Sequence, residues 1–236
     1  MNASQSVGQQ VEQLLLARAR AMQAHAQTLN IFLQMRISAL QGNQELQESI
    51  EYIAERLPTC HTGTNNGNRV YSFIVGQTFI SLVSEFESFL VDVMCLVAQR
   101  YPHKLGSESF RLSEILELQD PEYLVRIAAE RFINGIMYKR PSEYRKALAD
   151  VLSAETDFLS VKWPSYVECK ARRDLGVHNG WRINSTYQRK LEEIGYQTPP
   201  QEYLVPDGKY FFESVELFVD IGSDIATHCK SKFAQQ

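Results

Sequence analysis

Arg173, Asp174 and His178 place a guanidinium, a carboxylate and an imidazole within six residues of one another. They lie in Glu168-Cys-Lys-Ala-Arg-Arg-Asp-Leu-Gly-Val-His-Asn-Gly180, the densest gathering of reactive side chains in the sequence. Histidine moves protons near neutral pH, and the arginine fork holds a phosphate and steadies negative charge on it. Metal-free RNA cleavage needs those two functions. The RNA's own 2′-hydroxyl attacks the adjacent phosphate, one group takes or delivers a proton, and a cation stabilises the phosphorane. Asp174, four residues before His178, shares its helical face and can orient the ring or hold Arg172 or Arg173. A plainer reading stands beside this one: basic residues and histidine suit any helix C-terminus, and Asn-Gly is an ordinary helix stop.

The element that must carry these residues is a helix opening at Trp163-Pro164 and running to Asn179. On one straight helix Arg173 and His178 point about 140° apart. Two arrangements bring them to one phosphate. The helix end unwinds at Gly176 and Asn179-Gly180, or a second copy completes the site across a two-fold interface. A homodimer is the preferred expectation, because it doubles both residue types around one cleft. Between Lys162 and Lys190, seven basic residues face two acidic ones, a net of +5 in a chain of −4 overall. That island suits a polyanion, and Lys170, Trp181, Arg182 and Tyr187 become candidate RNA contacts. Trp163 and Trp181 either stack on bases or pack at the helix ends.

The remaining residues read as scaffold. A long amphipathic helix is expected from Ser6 to about Gln41, with Arg18 interrupting its apolar stripe, and a second ends at Pro58. Residues 1–58 form an N-terminal helical extension, 59–68 a linker, and 69–236 a helical bundle. Arg69–Arg100 is apolar on several faces and so belongs inside the bundle. Glu85 and Glu87 interrupt it, either reaching the site or partnering Arg172 or Arg173. A short helix near Leu112–Leu118 is followed by Glu122–Tyr138 behind Asp120-Pro121, then by Pro141 to about Leu152. After Gly180, Asn184 or Ser185 caps a helix through Ile194. An extended piece is expected at Glu202–Val205, and Lys209 to about Phe233 is the last helix. The fold class is therefore all-α.

Of 236 residues, 44% are hydrophobic and 22% charged, enough to fill a core while staying in water. The start is polar, so no secretory leader is expected. The most apolar stretch, Thr78 to Ala98, is broken by three acids and falls short of a membrane span. Cys60, Cys95, Cys169 and Cys229 are far apart and make no metal-ligand spacing, so free thiols in a cytoplasmic protein are expected, with no metal and no cofactor. His25, His61, His103 and His228 read as surface residues.

Arg173-Asp174-Leu175-Gly176-Val177-His178-Asn179 resembles the HEPN superfamily of helical domains, whose ribonuclease members carry Arg-x4–6-His, often as Arg-(Asn/Asp/His)-x-x-Val-His-Asn. Bacterial members are similar further out, in Glu168 upstream, in Gly180, Asn184 and Tyr187 downstream, and in Ser84-Glu85-Phe86-Glu87-Ser88-Phe89-Leu90. The resemblance spans roughly Arg69 to Phe233. It implies an HEPN-type bundle that dimerises around a composite site, and a metal-independent endoribonuclease leaving 2′,3′-cyclic phosphate ends. Many such proteins act in toxin–antitoxin or antiviral defence systems, so an antitoxin or defence partner is implied. By position Arg173 and His178 would be catalytic. Asp174, Asn179, Arg172 and Glu168 would support them. Some HEPN proteins only bind RNA, nucleotides or partner proteins, which is the alternative. Gly180 stands where adenylylated family toxins carry tyrosine, so that mode of control is not implied.

Overall fold

A computed structural model describes residues 5–57, 66–105, 110, 115 and 120–234. Among the described residues there are eight α-helices and no strand: α1 Val7–Leu40, α2 Gln44–Ala54, α3 Asn66–Arg100, α4 Pro121–Met137, α5 Pro141–Leu152, α6 Trp163–Asn179, α7 Ser185–Glu193 and α8 Gly208–Lys232. One 3₁₀ turn, Pro102–Leu105, follows α3. The all-α expectation holds. No helix of the described residues is long and apolar enough to cross a membrane.

The helix ends follow local chemistry. Ser6 and Gln9 form a reciprocal capping box, the Ser6 hydroxyl accepting from the Gln9 amide while the Gln9 side chain accepts from the Ser6 amide. Asn43, Asp120 and Asn184 each accept from an amide in the first turn of the following helix. Ser153 in the left-handed region ends α5, and Gly195 does so after α7. Two boundaries differ from the sequence reading. α2 stops at Ala54 instead of Pro58, and α3 already begins at Asn66. Residues 58–65 lie outside the described residues, and so does Leu112–Leu118 apart from Ile115.

The chain folds as two compact units, each discontinuous in sequence. The first comprises the described residues of Met1–Ala17, Glu87–Trp163 and Ile221–Gln236. Its interior includes Val11, Phe89, Met94, Ile133, Leu148 and Ile225. The Trp163 indole donates to the Pro141 carbonyl at 2.9 Å and meets Tyr144 edge-on, which fixes the start of α6 and gives this tryptophan a packing role. His228 is no simple surface residue: its ring lies against Phe158 and its Nε2 is 3.0 Å from the Leu152 carbonyl.

The second unit comprises Arg18–Phe86 and Pro164–Asp220 and contains the Arg173–His178 segment. Phe86 stacks on Phe218 at 4.5 Å, with Tyr166 edge-on to Phe86. Ala171 and Leu175 of α6 pack with Tyr187, Leu191 and Leu204. The two interruptions of the apolar stripes meet: Arg18 Nη1 of α1 donates to Glu85 Oε2 of α3 at 2.7 Å. Glu85 is thereby engaged by Arg18 instead of Arg172 or Arg173, a pairing its position in the sequence did not reveal.

Candidate functional site

α6 is helical without a break from Trp163 to Asn179, so Gly176 does not unwind it. Gly176 has a different use. A Cβ there would stand 2.6 Å from the Trp181 ring, and one at Gly76 of α3 would stand 2.9 Å from it. The two glycines make the slot that the indole fills, and Trp181 is only 2% exposed. Phe79 approaches the same ring at 6.4 Å. Trp181 is therefore a core residue and offers no face to an RNA base, because the turn after α6 folds it inward. Gly180 and Trp181 both have positive φ. The Trp181 amide reaches back to the Leu175 carbonyl at 3.0 Å, closing the helix. Asn179 braces this turn through a 2.5 Å bond from its side-chain amide to the Arg182 carbonyl.

On one side of α6 a buried polar network is centred on Glu168, which is 8% exposed. Its Oε1 accepts from Arg172 Nε and from the Tyr187 hydroxyl, both at 2.8 Å, and its Oε2 accepts from the Tyr210 hydroxyl. Arg172 also lies over the Tyr210 ring, 3.7 Å from its centroid. The Tyr210 hydroxyl also lies 3.3 Å from the Cys169 sulfur, and Cys169 is 3.5 Å from the Ser214 hydroxyl. Burial, then the neighbouring Glu168 charge, pushes the Cys169 thiol up to about 11. Burial likewise raises both tyrosines, so they stay protonated donors to Glu168. This network ties α6 to α7 and α8. It takes Arg172 and Tyr187 out of contention for an RNA surface: Tyr187 is buried with its hydroxyl spent on Glu168.

The opposite side of α6 faces solvent. His178 is exposed in the last turn, where the helix dipole favours a cation. No hydrogen bond joins it to Asp174 among the described residues. Asp174 is instead bonded to Lys190 of α7 at 2.9 Å and to Arg173 at 3.2 Å. The Arg173 side chain is 18% exposed. On an ideal helix Arg173 and His178 border the exposed face from opposite edges, about 140° apart, with Lys170, Asp174 and Val177 between them. Val177 is an apolar residue at 47% exposure in the middle of this charged strip. Arg182 is exposed and pairs with Glu202 at 3.2 Å, beside an isolated antiparallel bridge from Arg182 to Tyr203.

His178, Asp174 and Lys170 thus share one surface with the mostly buried Arg173 at its edge, whereas Glu168, Trp181 and Tyr187 are buried and Arg172 is turned into their network. Tyr210 and Cys169 are members of the interior network that the motif did not announce. Tyr210 comes from a helix about forty residues downstream of Glu168 and Cys169, beyond any local spacing rule. Among the described residues no group of three or more His, Cys, Asp and Glu side chains is placed to hold a metal ion. Compared with known proteins, the chain matches no family model, no curated protein and no solved structure.

Proposed function

We propose that this chain is an HEPN-type endoribonuclease that cuts RNA without metal, acting as a homodimer with a composite site, in a toxin–antitoxin or antiviral setting. The observation that carries this reading is His178, exposed in the final turn of an unbroken helix that also presents Arg173 and its partner Asp174. In the reaction the RNA 2′-hydroxyl loses its proton to one imidazole and attacks phosphorus. The bond to the 5′-oxygen breaks as the imidazolium so formed gives that oxygen its proton, leaving a 2′,3′-cyclic phosphate. Arg173 holds the non-bridging oxygens through the developing charge.

α6 keeps its helical form past Gly176, so unwinding does not bring Arg173 toward His178, and in the reading we favour a second copy supplies the missing group. The exposed Val177 between the charged edges would give such an interface an apolar centre. A second reading, a non-catalytic dimer that binds RNA, a nucleotide or a partner protein, is favoured by the engagement of the cations: Arg172 is held by Glu168, and Arg173 by Asp174.

Incubation of purified protein with mixed RNAs in EDTA tests the choice. Cyclic-phosphate fragments are expected from wild type, and His178→Ala should remove about 100-fold or more of the rate. Cleavage that survives His178→Ala rules out the nuclease assignment, and binding without turnover supports the second reading.

A further inference from the structure

A cleft of about 370 Å³ opens beside α6 in the second unit, lined among others by Ser165, Glu168, Tyr196, Tyr210, Glu213 and Ser214. Its size suits a single nucleobase, and among the described residues no lysine or arginine lines it. Its polar groups are hydroxyls, carboxylates and the Cys169 thiol, set among apolar surface that includes Leu217. Glu168 has its acceptors filled by Arg172, Tyr187 and Tyr210. Glu213 does not: Lys209 is its ion-pair partner at a loose 3.7 Å, and that lysine side chain is 83% exposed. Tyr196 is 41% exposed, and its hydroxyl is 3.1 Å from that of Ser165. Ser165 and Cys169, both in the cleft wall, and Arg173 recur every four residues along α6. The cleft therefore lies toward the start of α6 from Arg173, which stands about 6 Å beyond Cys169 and about 12 Å beyond Ser165 along the axis, turned about 40° at each step.

We propose that this cleft holds a guanine base of single-stranded RNA, with Glu213 accepting from guanine N1–H and N2–H and the Tyr196 ring packing on the base. The proposal rests on the reading of Arg173 as the phosphate-binding arginine. A carboxylate offers two acceptors side by side and no donor. On the Watson–Crick edges of the four standard bases, guanine alone sets two donors next to each other. Adenine and cytosine pair a donor with an acceptor, and uracil flanks one donor with two acceptors. Glu213 would meet an acceptor in each of those cases, which leaves a lone pair facing a carboxylate. Aromatic packing gives affinity to any base, so Tyr196 supplies binding and Glu213 supplies choice.

The test titrates the four nucleoside 5′-monophosphates against the intact wild-type chain, Glu213→Gln and Tyr196→Ala, and gives the same proteins single-stranded RNAs with and without guanine. Wild type should bind the guanine nucleotide about tenfold or more tighter than the other three. Glu213→Gln should lose that preference, and Tyr196→Ala should weaken all four. Equal affinities, a guanine preference that survives Glu213→Gln, or no binding of any nucleotide at millimolar concentration each overturn the proposal. Its failure is separable from that of the nuclease reading. RNA cleavage without base preference removes the guanine site alone, while a Glu213-dependent guanine preference without cleavage removes the nuclease alone.

Discussion

The Tyr187 hydroxyl of α7 donates to Glu168 of α6 at 2.8 Å, in the interior of the second unit. The same carboxylate oxygen takes Arg172 at the same distance. One buried acid therefore fixes both the roll of α6 and the fate of the first of its two adjacent arginines. The helix face carrying Arg173 and His178 is presented to solvent because the face carrying Glu168 is fastened inside.

Removing Glu168 should cost more than removing either tyrosine that donates to it. Glu168→Ala leaves Arg172 largely buried without its counter-charge, an expected loss of about 3–5 kcal/mol. Tyr187→Phe forfeits one hydrogen bond to a charged group, about 1.5–3 kcal/mol. Urea unfolding measures both. If Glu168→Ala were the milder of the two, the clamp described for α6 would be wrong.

The Trp181 slot gives a paired expectation. Trp181→Ala empties a closely packed site and should cost about 3–5 kcal/mol. Gly176→Ala drives a methyl into the indole and should cost about 1–3 kcal/mol. Because both changes act on one contact, the double variant should be more stable than the sum of the single losses predicts. Simple additivity in a double-mutant cycle would show that the glycine and the tryptophan are energetically independent.

Stability should fall in alkali. Burial pushes the Cys229 thiol up to about 12 from an ordinary value near 9.0. Burial followed by Glu168 pushes Cys169 up to about 11. As pH rises through 9 the unfolded chain loses these protons first, so it binds fewer protons than the folded chain and unfolding becomes easier. The contribution is whole below pH 9, declines from there to the folded values, and is flat beyond them. In urea midpoints taken across this window, Cys229→Ala should show a shallower decline than wild type. An unchanged slope would mean that this thiol does not ionise differently on unfolding.

A composite site makes a mixing prediction. Arg173→Ala and His178→Ala homodimers should each be inactive, while co-expressed chains should recover RNA cleavage in the mixed dimer, where one copy brings the arginine and the other the histidine. Absence of recovery, with mixed dimers demonstrated by differential tagging, would place both residues of a working site in the same protomer.

Much of this protein is decided within a few residues of chain. Asp120-Pro121, Asn184 and the capping box at Ser6 are satisfied by amides two to three positions away, so their helices are legible from the sequence itself. The extent of α6 and its concentration of basic residues are legible for the same reason. Tertiary structure decided which of those residues face inward. Arg172 and Arg173 are neighbours of one type, yet Arg172 is pinned by Glu168 and the Tyr210 ring while Arg173 turns to Asp174. Trp181 and Tyr187 look like stacking platforms in the sequence and are core in the fold, because a slot formed by Gly76 and Gly176 and a carboxylate on α6 take them in. Arg18 and Glu85 break two apolar stripes, and only packing of α1 beside α3 shows that they pair. A cap is a short-range hydrogen bond that the chain cannot avoid. A side-chain partner brought from another helix depends on how the helices pack, and local spacing carries no record of that.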